Sequence, residues 1–264
     1  MLCFLKLGGS LITNKSRVHT PRLDLIQRIA GEISEARQLQ PDLQIILGHG
    51  SGSFGHVPAQ IYGTRDGVTN QRQWEGFVEV WKEARALNLI IVDDLLKNNL
   101  PVISFPPSSM VLTENKKIIQ WAIEPMIHAL SNGLIPIIYG DVVFDQKIGG
   151  TILSTEDLFD YLTPLLKPQH IFIAGIELGV WSDFPNRKKL VKEITRKNYT
   201  SLFGKVKGSL STDVTGGMKE KVRLMMKLCE KNSALDVMIF SGEEPGAIKD
   251  TLLGKGKGTL IQTG

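Results

Sequence analysis

A chain of 264 residues, 42% hydrophobic and 22% charged, can bury a large core as one α/β domain or two closely joined lobes. No apolar run approaches the roughly 20 residues of a membrane helix, and no charged leader with a cleavage site opens the chain, so neither a membrane partner nor a signal peptide is expected. With 31 Lys+Arg against 27 Asp+Glu the net charge is +4, and the basic residues are dispersed without interleaved aromatics, which favours small anionic ligands over nucleic acid.

The first apolar run, Leu2-Cys3-Phe4-Leu5-Lys6-Leu7, reads as a buried strand ending in Gly8-Gly9-Ser10, with Lys15 five residues beyond. A loop to Pro21 leads to a helix in which Ile26, Ile29, Ile33 and Ala36 recur at helical spacing, and Pro41 follows its end. Gln44 to Leu47 is the next strand. It enters the densest glycine cluster, Gly48-His49-Gly50-Ser51-Gly52-Ser53-Phe54-Gly55-His56. A mobile loop is expected at Gly63-Thr64-Arg65-Asp66-Gly67, then a long helix with Trp74, Phe77, Val78, Trp81, Ala84, Leu87, Ile91 and Leu95 on one stripe.

Pro101 to Phe105 predicts a third strand, and a helix is expected from around Trp121 to Leu130, stopped by Asn132-Gly133. Leu134 to Asp141 is strand-like. Val142-Val143-Phe144 and Thr151-Ile152-Leu153 flank a glycine turn as a hairpin. Ser154-Thr155-Glu156-Asp157 predicts a helix start capped by Thr155, the helix running to Leu166. His170 to Gly175 is a strand, and a lysine-rich polar region spans Asp183 to Ser211. A helix follows from Thr215 to about Asn232, then a strand at Asp236 to Phe240, a short helix at Pro245 to Leu253 and a last strand at Gly258 to Ile261. Strands alternating with helices argue for a largely parallel sheet covered on both faces. Cys3 and Cys229 are expected as buried free thiols, which fits a cytoplasmic protein.

Gly50-Ser51-Gly52-Ser53-Phe54-Gly55 matches the dinucleotide pattern G-x-G-x-x-G after a strand. Yet the partner acid about 20 residues on at a strand end is missing, Asp66 lies in a glycine-flanked loop, and this is the second strand rather than the first. What survives is that glycines permit close backbone approach to a phosphate at a helix N-terminus. His56 closes the cluster, where an imidazole N–H can donate to an anion, whereas His49 is expected as a packed neighbour. Thr215-Gly216-Gly217-Met218-Lys219 repeats the theme. A cation in a first helical turn opposes the macrodipole, so Lys219 is better explained with an anion beside it; a capped helix with solvated lysines is the plainer alternative, since Lys221 and Arg223 follow. Three glycine turns with Lys6, Lys15 and Lys219 fit two phosphate-bearing ligands meeting. There is no G-x-x-x-x-G-K-[ST] loop, no H-E-x-x-H, no cysteine pair and no nucleophile elbow, so no metal ligands are predicted.

Lys6-Leu7-Gly8-Gly9-Ser10, the glycine loop ending Ser53-Phe54-Gly55-His56, Tyr139 to Asp145, and Asp213-Val214-Thr215-Gly216-Gly217-Met218-Lys219 together resemble the amino acid kinase superfamily over essentially the whole chain. Within it, the glycine-loop histidine resembles the isopentenyl phosphate kinase branch and, without a lysine matching Lys219, the fosfomycin kinases. The resemblance implies a three-layer αβα sandwich with a largely parallel central sheet: a single domain over 1–264, with an acceptor-binding lobe at 1–165 and a nucleotide-binding lobe at 166–264. It implies ATP- and Mg²⁺-dependent phosphorylation of a small isoprenoid monophosphate in isoprenoid precursor synthesis, by a homodimer.

The roles it implies are as follows. Lys6, Gly8, Gly9 and Ser10 hold the ATP phosphates, while Lys15 stabilises the transferring group. Gly175, Gly216, Gly217 and Lys219 belong to the nucleotide side, and Ser51 and Gly52 line the junction, Gly52 touching the nucleotide. His56 binds the acceptor phosphate, with Gly140, Asp141 and Thr155 facing the acceptor. Trp74, Phe77, Val78 and Trp81 are the expected wall of a prenyl slot, or simply core. Ser51, Thr155-Glu156 and the segment Gly175-Ile176-Glu177-Leu178-Gly179-Val180 depart from the family pattern. A phosphonate kinase and a non-catalytic nucleotide-binding member of the fold are the competing readings.

Overall fold

The N-terminal apolar run becomes the middle of a sheet: Leu2–Leu7 pairs in parallel with Gln44–His49 on one side and His170–Gly175 on the other. The computed structural model describes residues 1–14, 16–203 and 217–264. Among these, eight strands form one sheet in the order Glu193–Ile194, Thr259–Ile261, Asp236–Ser241, His170–Gly175, Leu2–Leu7, Gln44–His49, Ile135–Tyr139 and Val102–Ser104. All neighbours are parallel except Thr259–Ile261 against Asp236–Ser241. Such strands are buried on both faces and read as continuous apolar runs.

Side chains alternate across the sheet and separate two cores. Cys3, Leu5 and Leu7 pack with helices Leu23–Leu39, Gln71–Lys97 and Ala247–Leu252 on one face. Phe4, on the other, packs with helices Glu124–Ser131, Thr155–Leu166 and Gly217–Lys231. This is the three-layer arrangement. Register carries the consequence for the site: Leu7 lies beside His49 and Ala174, His49 beside Tyr139, and Gly175 beside Ser241. The carboxyl ends of five strands therefore open on one edge, where open α/β sheets bind ligands.

Several local expectations are corrected. Trp121 does not start a helix. It ends the strand Lys117–Trp121, which pairs with Val111–Glu114, and the helix begins at Glu124. The turn between those strands, Asn115 and Lys116, has φ of 48° and 66° without any glycine. Asp145 makes it possible by accepting both amides, at 3.1 and 2.8 Å. These strands extend the expected hairpin, whose strands run Asp141–Asp145 and Gly149–Leu153, into a second, four-stranded sheet. The cap of helix Thr155–Leu166 is Ser154, not Thr155: its hydroxyl accepts the Asp157 amide while Asp157 reaches back to the Ser154 amide. The Gly63–Gly67 loop contains an ordered turn, Thr64–Asp66, with Thr64 fully buried.

Candidate active site

At the carboxyl edge of the sheet opens a cavity of about 390 Å³. Lys6, Gly8, Gly9, Ser10, Ser51, Gly52, His56, Gly140, Thr155, Gly175, Gly217 and Lys219 all line it. Lys15 and Gly216 lie outside the described residues. Asp141 is the exception among the described candidates. It is buried beneath the wall, its carboxylate accepting the Ser108 amide at 3.2 Å and the Val142 amide at 2.9 Å. Burial pushes that carboxyl up to about 6; the structure does not bring Asp141 into the cavity lining, and places it behind its neighbour Gly140.

Close backbone contact explains the glycines. A Cβ on Gly9 would lie 2.5 Å from the Gly52 nitrogen. One on Gly52, which has φ of 51°, would strike the Thr13 hydroxyl at 2.2 Å. The first and second strand-to-helix turns are thus pressed together. Thr13 locks them, accepting from the Ser53 amide at 2.9 Å and donating to the Gly9 carbonyl at 2.7 Å. The first amides of Gly9–Ile12 and Gly52–Tyr62 have no intrahelical acceptor and adjoin the same cavity, which Gly217, Met218 and Lys219 also line.

Lys6 lies on the same sheet face as Phe4, whose ring packs on Phe159 at 4.9 Å. Two residues further along the strand, Lys6 meets Glu156, one turn earlier on that helix, in an ion pair with both side chains under 10% exposed. Burial would raise the Glu156 carboxyl, but the charges of Lys6 and Lys221 outweigh it and hold it at about 2. Burial draws the Lys6 ammonium below its ordinary range, and Glu156 partly restores it. Glu156 therefore orients the lysine at the cavity floor.

Thr155, 1% exposed, donates to the His49 carbonyl at 2.6 Å, and its methyl fills the space a Cβ on Gly48 would need. Its hydroxyl serves the fold. His49 is buried between the Gly50 carbonyl and Asn88, each at 3.2 Å, and burial pushes its imidazole down to about 4; it is a packed neighbour. His56 faces the cavity from the second turn of Gly52–Tyr62. Ser51 precedes that helix without spending its side chain on a cap bond.

The apolar end differs from expectation. Ala59, Val80, Ile152 and Leu153 line the cavity there, and Trp74, Phe77, Val78 and Trp81 do not. Phe77 packs at 5.2 Å against both Trp74 and Phe144, while Val78 is 54% exposed. The helix presents Val80 instead.

Three cavity groups escaped the sequence reading. Lys221, half-buried beside the Lys6–Glu156 pair, lines the wall, although two residues from Lys219 its pattern is that of a solvated lysine. Arg65 lines the end that also carries His56 and Ala59. At the opposite end Glu177 accepts from Arg187 at 2.8–3.1 Å and from the Trp181 indole at 2.9 Å. Arg187 holds the Glu177 carboxyl below its ordinary value.

The amino acid kinase family model matches residues 1–241. The isopentenyl phosphate kinase of Methanocaldococcus jannaschii is 36% identical over 99% of this chain and 98% of its own length. That of Arabidopsis thaliana is 26% identical over 83% of this chain and 81% of its own. A crystallographic isopentenyl phosphate kinase superposes with a TM-score of 0.84 at 29% identity, covering 99% of this chain and all of its own. The Thermoplasma acidophilum enzyme in a product complex gives 0.79 at 26%, with the same coverage. The chain therefore belongs to the amino acid kinase family, within its isopentenyl phosphate kinase branch.

Proposed function

We propose that this phosphotransferase moves the γ-phosphoryl group of ATP to isopentenyl phosphate, yielding ADP and isopentenyl diphosphate. The observation that carries the reading is convergence: Lys6, His56, Lys219 and Lys221 meet glycine turns from both halves of the chain in one cavity with an apolar end. We assign the triphosphate to Lys6, Gly8, Gly9, Ser10, Gly52, Gly217, Lys219 and Lys221, and the base to the end near Gly175. The acceptor phosphate falls to Ser51 and His56, with its tail toward Ala59, Val80 and Ile152. Lys15 and Gly216 keep the phosphate-binding roles that the family pattern gives them.

A phosphate monoester with second pKa near 6 is largely dianionic at pH 7, so no strong general base is needed. The difficulty is bringing two anions together. Phosphoryl transfer through a loose transition state needs alignment and positive charge, which the lysines and first-turn amides supply. Among the described residues no three carboxylate, imidazole or thiol groups cluster for a metal ion. A magnesium ion, when bound, would arrive with the nucleotide phosphates and neutralise part of their charge, and no step here is assigned to a protein-held metal. Burial raises the Cys3 and Cys229 thiols to about 12, which suits unreactive cysteines in a reducing cytoplasm; among the described residues no helix is long and apolar enough to cross a membrane. A homodimer belongs to the same reading and is checked by light scattering.

The test is ADP release measured with isopentenyl phosphate, with fosfomycin and with no acceptor. Turnover dependent on isopentenyl phosphate is expected; release only with fosfomycin, or equal release without acceptor, rejects the assignment.

A further inference from the structure

Arg65 has no role in the transfer as described so far. It sits on the turn Thr64–Asp66 between Gly63 and Gly67, whose φ values are 62° and 137°. That turn is docked rather than dangling. The Thr151 hydroxyl donates to the Arg65 carbonyl at 2.9 Å, and the Val68 amide to the Ile148 carbonyl at 2.8 Å. Lys116 pairs with Asp66 at 3.2 Å. From this fixed base the Arg65 side chain enters the wall that also carries His56, Ala59, Ile152 and Ser154.

Its ion-pair partner is Asp157, with 3.9 Å between Nη2 and Oδ2. That oxygen already accepts the Ser154 amide at 2.8 Å and the Ser154 hydroxyl at 2.7 Å. Asp157 is thus committed to the capping box. The longer separation to Arg65 is charge attraction without a hydrogen bond. A partly exposed pair of this kind contributes little, so turning the guanidinium toward another anion costs little.

We infer that Arg65 is a specificity-determining residue for the acceptor, its guanidinium closing on the phosphate monoester opposite His56. A planar fork of donors matches phosphate oxygens in a way a single imidazole cannot, and it favours a dianionic head over a neutral one. The inference rests on the acceptor assignment proposed above. The opposing view is that Arg65 only holds its turn, a task the three contacts Thr151–Arg65, Val68–Ile148 and Lys116–Asp66 already perform.

Steady-state kinetics with isopentenyl phosphate and ATP, alongside thermal unfolding, separate the two for wild type, Arg65→Met and Arg65→Lys. Arg65→Met should raise the acceptor KM about tenfold or more while the ATP KM stays within about twofold, with Arg65→Lys recovering part of the loss. If the methionine variant does not fold, Arg65→Lys alone carries the test, because lysine keeps the charge near Asp157 but loses the fork; its acceptor KM should still rise. An unchanged acceptor KM in a folded variant overturns the inference, as does a parallel rise in both KM values with a lowered Tm. A wild type that does not turn over isopentenyl phosphate overturns the acceptor assignment and this inference with it; active wild type with an unaffected Arg65→Met overturns the inference alone.

Discussion

Lys6 and Glu156 are opposite charges held almost wholly out of water, and each makes the other tolerable. Removing one partner of such a pair leaves an uncompensated buried charge, at a cost of about 3–5 kcal/mol. Lys6→Met should therefore lower the unfolding free energy by about that much in a urea titration, as well as abolish turnover. A variant as stable as wild type would show the pair to be unimportant to the fold. His56 makes a different kind of contribution, facing the cavity from a helix whose start is shaped by glycine. His56→Ala should raise the acceptor KM about tenfold, the value of one charge-assisted hydrogen bond, and leave the ATP KM unaltered. An unchanged acceptor KM removes it from the site.

Two elements position the cavity wall formed by Ile152, Leu153, Thr155 and Glu156, and each hangs on one side chain. Ser154 caps Thr155–Leu166, the helix that brings Thr155 and Glu156 to the cavity. Ser154→Ala should cost about 1 kcal/mol, read by calorimetry, because one first-turn amide loses its acceptor. In the four-stranded sheet, Asp145 accepts the amides of Asn115, Lys116, Lys147 and Ile148 and the Thr113 hydroxyl. Burial tends to raise this carboxyl, but those donors hold it well below its ordinary 3.8. With the folded value depressed, the stabilisation is fully present above pH 3.8 and fades as pH falls toward the folded value. Asp145→Asn should lower Tm clearly at pH 7, by about 2–3 kcal/mol in free energy, with the gap narrowing below about pH 3. A gap independent of pH would place the loss in packing rather than in charge.

The cavity draws walls from both halves of the chain, because one continuous sheet carries strands of each to the same edge. Ligand binding there should stabilise the fold as a whole, by about 2.7 kcal/mol at a hundredfold excess over Kd. ATP should raise the wild-type Tm, and Lys221→Ala should shrink that rise at equal ATP; equal rises would take Lys221 out of the nucleotide site. Lys221 also marks the limit of local reading. The central buried strands, the long amphipathic helices and the glycine turns were legible, because apolar periodicity and glycine spacing are properties of neighbouring residues. Which face of a helix meets which wall is not. Val80 rather than Val78 reaches the cavity, the charge of Lys221 acts on Glu156 alongside that of Lys6, and Asp141 turns to Ser108. The Asn115–Lys116 turn, with no glycine to announce it, is held by a carboxylate 29 residues further on. By itself the sequence determined the alternation of the central strands with their long covering helices, and the glycines and charged groups gathered at the strand ends. Only the tertiary structure decided which of those groups share a cavity, because that depends on sheet register and helix packing between segments far apart in the chain.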